Sequence, residues 1–443
     1  MGFISYMKGL INKLFAIKDI KTALNVDAAI SQEMLNKIDE WQKCYSGRAP
    51  WLTDDIHSLR LEQSIVREFA NIALNEMDVN ITNEKLDKIF KNAVRDLNVN
   101  LQEGLATGAM IIKPLGEDKV QYVCQNAFIP IEFDSRGRLL KVIFPEFKQI
   151  GDNIFYTRLE YHSLDSENGL TITNKAYYST TKGNLGREVS LESVDEWKNI
   201  EPTIRYPLMK RQAFGYYCNP IKNTIDGSHC GVSVFDCALE LIKKTDVQFG
   251  RLDWEFESGE RVIHVDIAAL RNGDTLPKLN KRLYKGLDLD NGNSELFKEY
   301  SPDFREQSII SGLEEYKRNI EFEVGLSYGD ISNPQTVDKT ATEIKSSKKR
   351  KYNTVTAIQS NLRDCLDDLV YALAFFNSMT EQKYEFICDF KDSILVDEET
   401  ERQQDRVDMQ MGIMRPEEYR AKWYGESVDE ALKNLPQSAE VIE

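Results

Sequence analysis

Between Gly325 and Phe376 the chain reads as the end of one helix, a polar hinge, and a second helix that begins basic and finishes apolar. The hinge, Leu326-Ser-Tyr-Gly-Asp-Ile-Ser-Asn-Pro-Gln335, concentrates residues that break helices or accept positive φ. Thr340-Ala-Thr-Glu343 then has the form of a capping box, in which a hydroxyl and a carboxylate satisfy amide donors left orphaned at a helix start. The first turns carry Lys345, Lys348, Lys349, Arg350 and Lys351. Beyond them Val355, Ile358, Leu362, Cys365 or Leu366, Leu369 and Leu373 recur at three- and four-residue steps, so one face is expected to pack against protein. A mobile loop leading into a cationic helix end points to a positioned contact with a polyanion. The same run also reads as an ordinary solvated face, and at this level both readings stand.

Charge argues against a free-standing nucleic-acid binder. The formal net charge is -16, which repels phosphate at long range. The 443 residues allow two or three domains, and an apolar fraction of 41% is enough for a sizeable core. Cysteines at 44, 124, 218, 230, 237, 365 and 388 form no regular framework, as a reducing cytoplasm permits. No apolar run approaches a membrane span, and Lys8, Asn12 and Lys13 interrupt the start, so neither a bilayer span nor a secretory leader is expected. Gly2 invites myristoylation, but Tyr6 stands where that motif wants Ser or Thr.

Periodicity changes along the chain. Phe3, Met7, Leu10, Ile11 and Leu14 give one helical stripe, a partner or membrane-surface helix at most and more simply a packed one. After a Ser31 cap, Met34, Ile38, Trp41 and Tyr45 give a second, stopped by Gly47 and Pro50. Helical spacing is expected to continue over 54–110, with Thr82 or Asn83 capping a helix that carries Leu86, Ile89, Val94, Leu97 and Leu101. From Ile111 to Ser179 the period becomes two, with turns at Asp134-Ser-Arg-Gly137 and Gly151-Asp-Asn153: an antiparallel meander among helices, hence an α+β class. Phe235, Ala238, Ile242, Thr245, Phe249, Leu252 and Phe256 then form a heptad-like seam of about thirty ångströms on a helix from Val234 to Gly259. Ser301-Pro302 is expected to start a further helix bearing Ile309, Leu313, Tyr316, Ile320 and Val324. Between the two lie short strands, Glu260 to Ile267 and Lys281 to Leu289, in an insert too small to bury a core alone. A strand from Glu385 to Phe390, an acidic helix from Asp397 to Met411 and a helix opened by Pro416 complete the pattern, with a frayed tail from Lys433.

Catalytic signatures are missing. There is no GxxxxGK[ST], HExxH or GxSxG, and His229-Cys230 with Cys218 and Cys237 has no zinc spacing. Asp288-Leu-Asp290-Asn-Gly292 is out of register with a calcium loop and reads as a turn. Asp389, Asp392 and Asp397 are the carboxylates a metal-dependent nuclease would use, set against the plainer reading of a solvated acidic loop. No catalytic residue, cofactor or metal ligand is therefore expected, and the chain is not expected to be an enzyme. A nuclease acting during DNA packaging is the alternative.

Several motifs, taken in order, resemble one family. They are Ser31-Gln-Glu-Met34 with Trp41, Gly47 and Ala49-Pro-Trp51; Tyr156-Thr-Arg-Leu-Glu-Tyr-His162; Asn174-Lys-Ala-Tyr177; and Gly231-Val-Ser-Val-Phe235. They continue through Trp254-Glu255, Gly325-Leu-Ser-Tyr-Gly329 and Lys339-Thr-Ala-Thr-Glu-Ile-Lys345 to Asp392-Ser-Ile394 and Trp423-Tyr-Gly425. The chain resembles the portal proteins, or head-to-tail connectors, of tailed bacteriophages, in the branch similar to portals of siphophages of Gram-positive bacteria. His229-Cys230 departs from the Pro-Leu expected in relatives, a matter of local loop geometry.

The resemblance implies a structural portal: a homo-dodecamer at one capsid vertex of the virion, made in the host bacterial cytoplasm, with a central channel for double-stranded DNA packaging and ejection. It implies docking to the terminase large subunit, a head-tail adaptor, and the major capsid and scaffolding proteins, with no membrane. On that plan 1–232 is the N-terminal helical region and wing, 233–257 the first stem helix, 258–301 the clip and 302–325 the second stem helix. Residues 326–339 become the tunnel loop, 340–377 the long helix behind it, and 378–443 the C-terminal strand and crown helices. Candidates for facing the channel are Ser327, Tyr328, Asp330, Asn333, Gln335, Lys339, Lys345, Lys348, Lys349, Arg350 and Lys351. An acidic channel lets DNA slide rather than stick, and a few Lys or Arg at the constriction would offset the repulsion.

Overall fold

In the computed structural model Ser31 acts as its position predicts. Its hydroxyl oxygen accepts the Met34 N–H at 3.0 Å and opens α2 (Gln32–Tyr45), which follows the short α1 (Ile17–Leu24). Met34, Ile38 and Trp41 are buried, so the expected stripe is the packed face. The structure describes residues 17–75, 77–116, 118–258, 262–266, 284–287, 297–300, 305–334, 341–379, 383–390 and 398–435. The stripe from Phe3 to Leu14 lies outside them. The chain divides into two compact units, residues 1–75 with 79–388, and residues 76–78 with 389–443.

Continuous helical spacing over 54–110 is corrected in three places. Residues 54–60 are not helical, α3 (Leu61–Asn75) begins only at Leu61, and β1 (Met77–Ile81) follows it. Met-Asp-Val-Asn-Ile alternates with period two, and Val79 and Ile81 are the members turned inward. Asn83, not Thr82, caps α4 (Glu84–Ala93), accepting the Leu86 N–H at 3.1 Å. That helix stops at Val94, and α5 (Leu97–Thr107) resumes the buried face with Leu97, Leu101 and Leu105.

The meander is present, and it is larger than its sequence signal. β4 (Ile129–Phe133), β5 (Leu139–Gln149), β6 (Phe155–Asp165), β7 (Gly169–Ser179) and β8 (Arg187–Val189) form an antiparallel sheet, with β9 (Thr203–Tyr206) also pairing β7. A second sheet orders β10 (Gly215–Cys218), β2 (Ala109–Pro114) and β3 (Val120–Cys124). β8, β9 and β10 are too short to show a period. The architecture is mixed α+β with antiparallel sheets.

The core sits where α8 (Ala341–Phe376) lies across β10, β2, α3 and α4. Val355, Ile358, Leu362, Cys365, Leu366, Leu369 and Leu373 are all fully buried there. Gly215 makes the approach possible, since a Cβ on it would stand 2.2 Å from the Cys365 carbonyl oxygen.

Two long helices form an antiparallel hairpin. α6 (Leu239–Ser258) begins after a single 3-10 turn at Asp236–Ala238, five residues later than expected. α7 (Glu306–Val324) begins at Glu306 rather than Pro302, which lies outside the described residues. The expected Ser301 cap also lies outside the described residues; Arg305, just before the helix, donates its N–H to Glu255 at 3.0 Å, and its guanidinium spans both carboxylate oxygens, at 3.1 and 2.7 Å. At the opposite end the Cys237 thiol faces the Glu323 carbonyl at 3.4 Å. The seam is buried at Phe235, Ala238, Ile242 and Thr245, but Phe256 is 51% exposed and Trp254 61% exposed. Beyond Thr245 the seam residues Phe249 and Leu252 are half-buried, and Glu255 turns in to Arg305.

Between the helices, β11 (Val262–Asp266) pairs in parallel with β12 (Tyr284–Leu287) and antiparallel with β13 (Phe297–Tyr300), a strand the sequence did not announce. The Asp288–Asn293 turn lies outside the described residues. In the second unit, α9 (Glu398–Gln410) and α10 (Pro416–Tyr424) pack through Tyr419, whose hydroxyl oxygen accepts from Arg402 Nε at 3.3 Å and Arg406 Nε at 3.0 Å. A further helix, α11 (Val428–Asn434), opens on a Ser427–Glu430 capping box, and the tail expected to fray from Lys433 lies, past Leu435, outside the described residues. β14 (Phe386–Phe390) runs across the division between Cys388 and Asp389.

Candidate nucleic-acid interface

The hinge begins where Gly325 ends α7 in the left-handed region, φ 84°. A side chain there would be strained, and its Cβ would stand 2.5 Å from the Thr354 hydroxyl on α8. The two helices therefore touch at the root of the loop.

Residues 326–334, read in the sequence as part of a mobile hinge, are hydrogen-bonded to α7. Glu321, one turn before the helix end, is fully buried, and its carboxylate collects the loop backbone. Oε1 accepts N–H groups from Gly329 at 3.1 Å, Ile331 at 2.6 Å and Ser332 at 2.7 Å, while Oε2 accepts the Ser332 hydroxyl at 2.8 Å. Leu326 N–H donates to the Glu321 carbonyl at 2.9 Å. Two turns earlier on the same face, Glu314 accepts the Asn333 N–H at 2.7 Å and pairs with Lys317 at 2.9 Å. Burial works to raise the Glu314 carboxyl, but the Asn333 N–H and Lys317 outweigh it and hold it below its ordinary range. Gly, Ser and Asn content signalled irregular backbone here, and the amide donors of 326, 327 and 329–333 are taken up by carboxylates and carbonyls.

The named candidates divide. Ser327 N–H donates to Asp330 Oδ2 at 2.7 Å, and Asp330 N–H returns to the Ser327 carbonyl at 3.2 Å, closing a turn. Tyr328 is half-buried and Asn333 exposed. Gln335, Lys339 and the expected Thr340 cap lie outside the described residues, as does the side chain of Lys345. Lys348 and Lys349 are exposed. Arg350 stacks on Phe322 of α7, its guanidinium 4.1 Å from the ring centroid. Lys351 is buried, with Nζ 2.9 Å from Asp330 and 3.1 Å from Glu68 of α3.

A basic run that looks uniform in sequence is thus two things. Lys348 and Lys349 present charge outward, while Arg350 and Lys351 are fasteners joining α8 to α7, α3 and the loop. Sequence reasoning missed Glu321, Glu314, Glu68 and Phe322. The seven-residue spacing of Glu314 and Glu321 on the face of Leu313 and Ile320 was the available signal, because carboxylates beside an apolar stripe need donors.

Of the nuclease carboxylates, Asp389 is exposed, and Asp392 and Asp397 lie outside the described residues. Among the described residues no three His, Cys, Asp or Glu side chains group as a metal site. Among the described residues no helix is long and apolar enough to cross a membrane. No family model matches the chain, and no curated protein matches it.

Proposed function

We propose that this chain is the portal protein of a tailed phage: a ring subunit that encloses a channel for double-stranded DNA and offers its strand-bearing insert to the packaging motor and, later, to a tail adaptor. The observation that carries the reading is the order of parts in one stretch of chain. An antiparallel helix hairpin, α6 with α7, brackets a small three-stranded insert and leads through a Gly-capped turn into the long helix α8. The motif series of the sequence supports the same reading over nearly its whole length. Trp254 and Phe256, exposed on the hairpin, supply apolar surface for a neighbouring copy. Among the described residues of the basic run, Lys348 and Lys349 are exposed and could meet phosphate, whereas Lys351 is withdrawn from that role by Glu68 and Asp330.

Negative-stain imaging of the purified full chain tests the proposal. Closed rings with a central hole are the expected particles. Monomers or dimers alone, at micromolar protein and across a range of salt, would sink it.

A further inference from the structure

We propose that residues 326–333 keep a single conformation during DNA passage, and that Glu321 is the positioning residue that holds them. The functional half of this inference rests on the portal reading; the structural half does not.

Glu321 is fully buried, and four donors reach its two oxygens from Gly329, Ile331 and Ser332. A carboxylate in that position can be left neither bare nor half-satisfied, since its desolvation is offset only by those donors. Three backbone N–H groups converging on one oxygen form an anion-holding concavity, filled here by the chain's own side chain. Moving the loop root would strand a buried charge and three amides together, so the root moves as a unit or not at all.

Two further ties make movement as a unit costly. Asn333 N–H is bonded to Glu314 Oε2 at 2.7 Å, fixing the far end of the segment to the same helix. Asp330 is tied through buried Lys351 to α8, and Lys351 continues to Glu68 on α3. The root is therefore fastened to three helices by charged groups. Lys348, one turn before Lys351 on α8, is carried by the helix that makes these ties. Holding the root fixes where that exposed ammonium stands relative to the hinge.

Hydrogen–deuterium exchange on the full chain, read on peptides covering 326–334, provides the test. In the wild type these amides should exchange as slowly as the middle of α7, with or without double-stranded DNA. Glu321→Ala should speed exchange at 329–332 by about a hundredfold, and Glu321→Gln by less, because its amide oxygen still accepts. Ser332→Ala removes a single donor and should give a smaller increase, which serves if the alanine variant at 321 fails to fold. In a packaging assay, rings of Glu321→Gln with unchanged thermal midpoint should fill capsids faster than rings of Glu321→Ala. Unprotected exchange at 329–332 in the wild type, protection lost on adding DNA, or slow exchange retained in Glu321→Ala each overturns the proposal. Particles without a channel would refute the portal reading instead, and would leave the exchange result intact.

Discussion

Glu62 and Glu321 are both fully buried carboxylates, and their neighbours give them opposite chemistry. Glu321 has a full set of donors, whereas neither oxygen of Glu62 has a hydrogen-bond partner. Burial pushes the Glu62 carboxyl up to about 7, and nearby Asp246 adds to the push. The folded pKa is thus above the unfolded one, so the native state binds the extra proton between about 4.5 and 7. The contribution of Glu62 to stability is fully present below the unfolded pKa and is lost as pH rises through 7. Two and a half units correspond to roughly 3 kcal/mol at full ionisation. Replacing Glu62 with Gln should accordingly raise the thermal midpoint at pH 8 and bring little gain at pH 5. An equal change at both pH values would show that Glu62 stays charged in the fold.

At the scale of elements, the hairpin and the basic turn of α8 make separable predictions. Trp254, near the end of α6, is 61% exposed, and on the proposed reading a second copy would cover it. Trp254→Ala should leave the monomer fold intact and raise the protein concentration needed for rings about tenfold or more, read by sedimentation velocity. A variant that assembles at the wild-type concentration would place the subunit contact elsewhere. Replacing Lys348 and Lys349 together with Glu should preserve rings and slow packaging, with the defect growing as salt is lowered. Wild-type filling of capsids by that double variant would remove these lysines from DNA contact while leaving the architecture untouched. Lys351→Met should behave differently. It leaves Asp330 and the partly exposed Glu68 without the cation they share, and should cost about 1 kcal/mol of stability.

On the scale of the whole molecule, charge and architecture work together. In the ring proposed above, a net charge of -16 on each chain would make the assembly strongly acidic, which would favour a channel that polyanions traverse without adhering. The chain carries no phosphate-binding loop, so ATP hydrolysis by the purified rings should stay at background. Turnover abolished by a point substitution in this chain would contradict that. Turnover at background would leave the motor to a separate protein, which under the proposed function docks on the insert between α6 and α7.

The sequence by itself determined the long regular elements. Ser31 and Asn83 capped where a short polar side chain had a free amide to accept from, and the stripe from Val355 to Leu373 became the core face of α8. Long periods survive because each added turn repeats the same burial signal. Only the tertiary structure decided what lay in short or charged stretches. β9 and β10 are held by partners more distant along the chain and β8 by the preceding β7, and three or four residues carry no period of their own. Arg305 stands just before a helix and is held there by Glu255, fifty residues earlier. Likewise, the run from Lys345 to Lys351 gave no sign of which cations would face solvent. That was settled by Phe322, Asp330 and Glu68, and a charge declares its role only once its partner is in place.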